Sequence, residues 1–225
     1  MSDSPLAVFW ECANPACRFR YVESAPAGRG TTCPRCGAAA QVVARVPRPD
    51  SMDSADTSSP VPLPSASPFP TPFPTIALLL DNFRSAYNVG AAFRTADAAG
   101  VTHVYLSGIT PAPTHPRVQK TALGAEQWVP WSHHPNGVAL SARLKQEGWT
   151  LWGMETAASA RRLNAQQPLP SKLVLALGNE VAGLDPGILT QADAVVALPM
   201  WGRKRSLNVA SALAAALYVL RCCAL

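Results

Sequence analysis

The sequence predicts an α/β protein, a parallel sheet with helices on both faces, preceded by a small cysteine-rich module. Three observations carry that prediction. From Thr75 onward, short apolar runs alternate with helical stretches. Four of the six cysteines stand as two pairs near the N-terminus. Between these regions the composition shifts abruptly, with nine of the 22 prolines falling in residues 47–74. The chain therefore reads as residues 1–46, a linker over 47–74 and a main domain over 75–225.

Composition narrows the class. Hydrophobic residues make up 48% of the chain, enough for a core, and charged residues only 15%, below the usual ~25%. The formal charge of +5 suits a polyanionic partner such as nucleic acid, although a mildly basic protein without one has the same total. The start, MSDSPLAVFWECANPAC, has no basic segment leading into an apolar one, so no export signal is expected. The longest apolar run, Leu207 to Leu220, falls short of the roughly 20 residues of a membrane span. It reads as a core helix, and the protein as cytoplasmic with no membrane partner.

The first module follows from its cysteines. CANPAC (Cys12 to Cys17) and CPRCG (Cys33 to Gly37) are separated by fifteen residues. Four thiolates satisfy a tetrahedral Zn²⁺ and leave no position open, so Cys12, Cys17, Cys33 and Cys36 are expected to hold a structural zinc. Gly37 permits the positive φ of such a knuckle. The flanking VFW, RFRYVE and AQVVARV read as short strands, which makes a zinc ribbon. About forty residues bury too little surface alone, and the metal supplies the missing folding energy. Arg18, Phe19, Arg20 and Tyr21 alternate charge with ring. They either contact RNA, or pack two rings into the ribbon while both arginines face water. The proline-rich stretch can form neither helix nor sheet and reads as a tether.

In the main domain, TIALLL, HVYLS, TLWGM, KLVLAL and AVVALP read as buried strands. Helices are expected over Asn88 to Ala99, closed by Gly100, over GVALSARLKQEG, and over Ser206 to Cys222. Ligands of such sheets bind at the carboxyl ends of the strands. No G-x-G-x-x-G follows the first strand, and GNEVAGLD has Leu-Asp where a phosphate loop needs Lys-Ser/Thr. The glycine loops come late in the chain instead. Cys222 and Cys223 read as buried small apolar residues, and the four histidines receive no role.

NVGAAFRTADAAGV (Asn88 to Val101), LALGNEVAGL (Leu175 to Leu184) and LPMWGRKRSLNVASALA (Leu198 to Ala214) stand in order along the chain, with KTALGAEQWVPW between the first two. Together they resemble the three motifs of the TrmH-type branch of the SPOUT RNA methyltransferases, over everything after the linker. The resemblance implies a SPOUT fold with a C-terminal trefoil knot, a homodimer, and S-adenosylmethionine-dependent 2′-O-methylation of a ribose in tRNA or rRNA. A base methyltransferase on the same fold and a non-catalytic RNA-binding protein are the competing functions.

By the same resemblance Arg94 is the central catalytic residue and Asn88 helps to organise it. Ser206 and Asn208 are active-site groups near Arg94, and Glu180 faces the site. Leu198, Met200 and Leu207 enclose the cofactor's adenosyl group, and Gly178 lets the loop backbone approach the cofactor closely. Side-chain chemistry adds local expectations. Asn88 and Ser206 are suited to cap their helices and Gly183 to close a turn, whereas Asn208 is a mediocre helix former in the first turn of its helix. Glu180 either caps the short LDPGIL helix or holds the third motif's loop. A guanidinium stays protonated, so Arg94 is expected to clamp an RNA phosphate while that phosphate, Ser206 or a water takes the proton. Arg203, Lys204 and Arg205 are either a solvated loop tip or phosphate contacts.

Overall fold

The structure is a computed structural model that describes residues 6–23, 31–47, 74–157 and 159–222. The chain divides into two compact units between Ser65 and Ala66, inside the proline-rich stretch. Residues 48–73 of the expected linker lie outside the described residues.

The first unit is a three-stranded antiparallel sheet of β1 (Leu6–Cys12), β2 (Arg20–Glu23) and β3 (Ala40–Pro47), in the order β2-β1-β3. Two turns leave the strands. One carries Cys17, whose N–H donates to Asn14 O at 3.0 Å, and the other closes with Gly37 N–H on Cys33 O at 2.8 Å. Gly37 has φ +73°, so its lack of a side chain is used here.

The second unit is a seven-stranded sheet whose pairings are all parallel. Its strands are β4 (Thr75–Asp81), β5 (His103–Ser107), β6 (Trp131–His134), β7 (Thr150–Met154), β8 (Arg161–Arg162), β9 (Lys172–Leu177) and β10 (Ala194–Ala197), in the order β6-β5-β4-β9-β7-β10-β8. The central strand β4 explains why its run is apolar throughout. Ile76, Leu78 and Leu80 enter one core layer, while Ala77 and Leu79 enter the other. The first layer is completed by α1 (Ala86–Ala98), α2 (Pro116–Ala122), α3 (Ala125–Trp128) and α6 (Val209–Cys222). On the other face lie α4 (Gly137–Gln146) and α5 (Pro186–Gln191). Helices on both faces are thus present as expected. Each fully buried Leu of these layers contributes about 1.5–3 kcal/mol.

Two contacts lock the helices around the site. At Gly90 an added Cβ would overlap Thr121 Oγ1 and Val118 O and come within 2.9 Å of Ala122 N, so α1 and α2 cross at backbone distance. At the far end, Arg221 of α6 donates to Ala99 O at 2.7 Å, Pro74 O at 2.9 Å and Gly100 O at 2.6 Å. That fork caps α1 and clamps the chain before β4.

From β9 the chain runs outward past β7 to β10 and returns to lay α6 against α1. This excursion is the part of the path that the resemblance assigns to the trefoil knot. The strands β6 and β8 were not expected. WSHH has no apolar run, β8 is two exposed arginines, and both are edge strands with little burial to leave a pattern. Helix α6 starts at Val209, three residues later than expected, and Cys222 is exposed rather than buried. Cys223 lies outside the described residues. Among the described residues no helix is long and apolar enough to cross a membrane.

Candidate functional site

The chain leaves β4 through a sharp turn that aims α1. Asn82 takes φ +54°, a conformation Asn tolerates. Its Oδ1 accepts from Ile109 N at 3.2 Å. The buried Thr110 hydroxyl accepts from Phe83 N at 3.0 Å and faces Ser107 O at 2.7 Å. Ser85 then caps α1, accepting from Asn88 N at 3.3 Å. Asn88 is therefore not the cap expected of it. It is the third helical residue, and its amide is free to point outward.

That amide meets the loop after β9. Asn88 Nδ2 donates to Glu180 Oε1 at 2.9 Å, Ser85 N donates to the same oxygen at 3.1 Å, and Arg84 N donates to Oε2 at 2.9 Å. Glu180 thus closes the N-terminus of α1 from another loop, where the helix dipole favours an anion. Partial burial works against its ionisation. The bonds from Arg84, Asn88 and Ser85 outweigh it and hold the carboxyl below its ordinary value. Glu180 faces the cavity, as the resemblance implied, but its carboxylate grips the first motif and not the third, and the cap of the short helix α5 is Asp185, accepting from Gly187 N at 2.7 Å.

The third motif joins through Asn208. Its Oδ1 accepts from Ala210 N at 2.9 Å and Ser211 N at 3.3 Å, and Ala212 N donates to Asn208 O at 2.8 Å. Asn208, not Ser206, is the N-cap of α6, because only its side chain reaches back to those two amides. Its Nδ2 donates to Asn88 Oδ1 at 3.1 Å. A single relay therefore links residues 208, 88 and 180, one from each motif. The direction is imposed: Asn88 must turn its NH₂ toward the carboxylate, which leaves its oxygen for Asn208.

Beside this relay a cavity of about 360 Å³ opens over the carboxyl ends of β7, β9 and β10, within the range of small-molecule sites. All four expected cofactor residues, Gly178, Leu198, Met200 and Leu207, line it, as do Glu180, Ser206 and Asn208. Gly178 has a further reason to be glycine besides its place in the cavity wall. An added Cβ would overlap the backbone of Gly183 and Leu184, so the glycine lets the loop cross over itself. Gly183 closes that loop at φ +78°, donating to Asn179 O at 2.9 Å, as anticipated. Asn179 is spent on the loop as well, with Nδ2 on Asn82 O at 2.7 Å and Oδ1 accepting from Val181 N at 2.9 Å and Ala182 N at 3.0 Å.

Sequence reasoning passed over Glu155, which follows β7 and lines the cavity. Its Oε2 accepts from Leu184 N at 3.1 Å and its Oε1 from Thr156 N at 2.9 Å, so it braces the glycine loop. A lone acid after a strand carries no spacing signal, which is why it was missed. Arg94 stands apart. It is exposed on α1, six residues and about 9 Å of helix rise beyond Asn88. Among the described residues no hydrogen bond or ion pair ties it to Asn88, Glu180, Ser206 or Asn208. Arg203, Lys204 and Arg205 are exposed, and Arg205 also lines the cavity. His115, assigned no role from the sequence, caps α2 through Nδ1, 3.1 Å from Arg117 N.

In the first unit the sulfurs of Cys12, Cys17, Cys33 and Cys36 all lie within 4.8 Å of one another. Cys12 and Cys36 are 3.5 Å apart, and Cys17 and Cys33 3.9 Å. A tetrahedron of 2.3 Å Zn–S bonds has edges of about 3.8 Å, so the four sulfurs fit that ion. Arg35 N points at Cys33 Sγ from 3.4 Å, the knuckle arrangement that stabilises thiolate. Arg18 pairs with Glu11 at 3.1 Å, and the Arg35 guanidinium lies 6.0 Å over the half-buried Phe19 ring. The side chains of Arg20 and Tyr21 lie outside the described residues.

Comparison with known proteins bears on the second unit. The family model described as SpoU rRNA Methylase matches residues 75–218. A 23S rRNA (guanosine-2′-O-)-methyltransferase RlmB from Pseudomonas putida is 36% identical over 148 residues, 66% of this chain and 59% of that protein. The chain therefore spans less than two thirds of that relative's length. An AdoMet-bound rRNA methyltransferase from Sinorhizobium meliloti superposes with a TM-score of 0.59 at 27% identity, covering 65% of this chain and 56% of that one. A TrmH/SpoU tRNA modifying enzyme from A. aeolicus does so with a TM-score of 0.57 at 26% identity, covering 66% and 74%. With the parallel sheet, the carboxyl-end cavity and the three linked motifs in place, the family match over β4 to α6 closes the question: this chain belongs to the SpoU rRNA methylase family of SPOUT RNA methyltransferases.

Proposed function

We propose that this chain transfers a methyl group from S-adenosylmethionine to a ribose 2′-hydroxyl of RNA, with ribosomal RNA the first substrate class to test. The observation that supports this best is the relay of Asn208, Asn88 and Glu180 beside the cavity, since it joins the three motifs that a 2′-O-methyltransferase of this family carries. A base methyltransferase or a non-catalytic protein has less use for it.

The cavity suits the cofactor's chemistry. Leu198, Met200 and Leu207 offer apolar walls to an adenine, and the crossed loop at Gly178 and Gly183 offers backbone amides and carbonyls close to its edge. When bound, S-adenosylmethionine supplies a methyl group already activated on a sulfonium. The chain then has to orient the acceptor hydroxyl and help its proton leave. Glu180 and Asn88 hold the N-terminus of α1 in place, and Asn208 fixes the mouth of α6 against it. Arg94, without a hydrogen bond or ion pair among the described residues, is the group for an RNA phosphate next to the reacting ribose, because its fork matches phosphate and cannot itself act as a base. Ser206, exposed and lining the cavity, is placed to accept or pass the hydroxyl proton. Arg203, Lys204 and Arg205 add phosphate contacts.

The four cysteines hold one structural zinc in a ribbon that serves RNA recognition. The protein acts as a homodimer in the cytoplasm, and residues 1–46, 47–74 and 75–225 are its ribbon, tether and catalytic domain. The test is methyl transfer from labelled S-adenosylmethionine to total RNA, followed by mapping of 2′-O-methyl sites. Wild type labels at least one ribose, and Arg94→Ala lowers the rate 100-fold or more while leaving the fold intact. Methyl groups found only on bases, or no cofactor binding by the purified protein, would overturn the proposal.

A further inference from the structure

We propose that Trp201 is a stacking platform for an unpaired RNA base flanking the target ribose, with Arg203, Lys204 and Arg205 holding the phosphates beside that base. This rests on the RNA-methylation reading above and adds a positioning residue to it. The indole is 89% exposed, more than any other large hydrophobic side chain among the described residues. Single exposed apolar residues need no explanation, but this one is not single. Val181 is 79% exposed, Leu207 48% and Met200 37%, and those three line the cavity from the two loops that form its mouth. Trp201 follows Met200 but does not line the cavity. A ligand that fills the cavity therefore covers its neighbours and leaves the indole in water.

Charge decides what covers it. Residues 198–208 contain three cations and no acid, and no salt bridge among the described residues engages any of the three. Gly202, between the ring and the cations, has no atom within 4 Å of where a Cβ would stand, its chain neighbours aside, so the loop tip is open on that side. An aromatic face next to unpaired cations is the composition that binds single-stranded nucleic acid, where every base offers a π-face and every linkage a phosphate. A second copy that met this loop with its own would set three cations against three, which repels. The indole lies one residue beyond an adenosyl wall and five before Ser206. A base held there is a neighbour of the reacting nucleotide, and the enzyme thereby selects RNA in which that neighbour is unpaired. Stacking tolerates any base, so Trp201 reads single-strandedness rather than sequence.

The experiment uses the full-length protein, a fluorescently labelled single-stranded RNA oligonucleotide and the same strand in a perfect duplex, read by fluorescence anisotropy. Stacking of one base predicts that Trp201→Ala weakens single-strand binding about 5- to 150-fold. Trp201→Phe recovers most of that loss, and duplex binding changes less than 2-fold. Replacing Arg203, Lys204 and Arg205 together by Ala lowers the single-strand salt slope by about 2. Calorimetric S-adenosylmethionine affinity and the solution mass stay those of wild type in Trp201→Ala. Equal losses on single strand and duplex, no loss at all, or a change of oligomeric state in Trp201→Ala would each overturn the proposal, the last by identifying a second copy as what covers the indole. Because binding is read directly, a protein that binds RNA but transfers no methyl group sinks the enzymatic reading and leaves this one standing.

Discussion

Glu180→Gln isolates the bond between two motifs. The carboxylate accepts three hydrogen bonds, from Arg84 N at 2.9 Å, Ser85 N at 3.1 Å and Asn88 Nδ2 at 2.9 Å. A glutamine keeps one acceptor oxygen and turns an NH₂ toward donors already in place, so at least one bond becomes a donor–donor clash. Hydrogen bonds to a charged group contribute about 1.5–3 kcal/mol each. Glu180 is exposed, and solvent screening reduces the one lost bond to roughly 1 kcal/mol. The lost charge at the N-terminus of α1 adds about 0.3–1 kcal/mol. The total, about 1–2 kcal/mol, lowers Tm by roughly 2–8 °C in a protein of this size. The sign of the pH dependence follows from the depressed carboxyl pKa. The contribution is full above the unfolded value of about 4.3 and is lost as pH falls through the lower folded value. Scanning calorimetry of wild type and Glu180→Gln should therefore show a gap at pH 7 that narrows below about pH 4. A variant as stable as wild type at pH 7, or a gap that persists unchanged in acid, would refute the role given to this carboxylate.

Other variants separate the remaining parts. Asn208→Asp keeps an acceptor for Ala210 N and Ser211 N but turns an oxygen toward Asn88 Oδ1; it should hold Tm within a few degrees and lose methyl transfer by more than tenfold. Asn208→Ala should lose activity and, by removing the cap, about 1 kcal/mol of stability in chemical denaturation as well. Gly90→Ala forces α2 away from α1 and should destabilise by about 1–3 kcal/mol in urea unfolding, whereas a wild-type midpoint would show that the helices can part freely. Metal analysis should find one zinc per chain, abolished in Cys33→Ser with Cys36→Ser; a metal-free protein whose N-terminal unit stays folded would contradict the closed four-sulfur site.

How much was legible beforehand varies with how each feature arises. The central strands announce themselves because they are buried on both faces, as TIALLL is, and burial on both faces leaves an unbroken apolar run. The edge strands β6 and β8 do not, because an edge is partly solvated and needs no such run. The cysteine quartet was readable from spacing alone, since four thiolates within a short stretch have few other uses. The cavity walls Leu198, Met200 and Leu207 came from motif resemblance and do line one cavity. The caps were assigned two or three residues astray. Ser206 and Asn208 have similar capping preference, and only the path of the chain decides which oxygen reaches the free amides.

Residue order by itself determined the class of the sheet and the candidates for the site, because these depend on periodicity and on motifs of short range. Tertiary structure alone decided who holds whom. Glu180 lies 92 residues from Asn88, and Asn208 lies 120 from it. No local pattern encodes bonds of that span. They exist because the parallel sheet sets β4 beside β9, and the returning α6 lies against α1. Three loops that are remote along the chain become one polar relay at the mouth of the cavity.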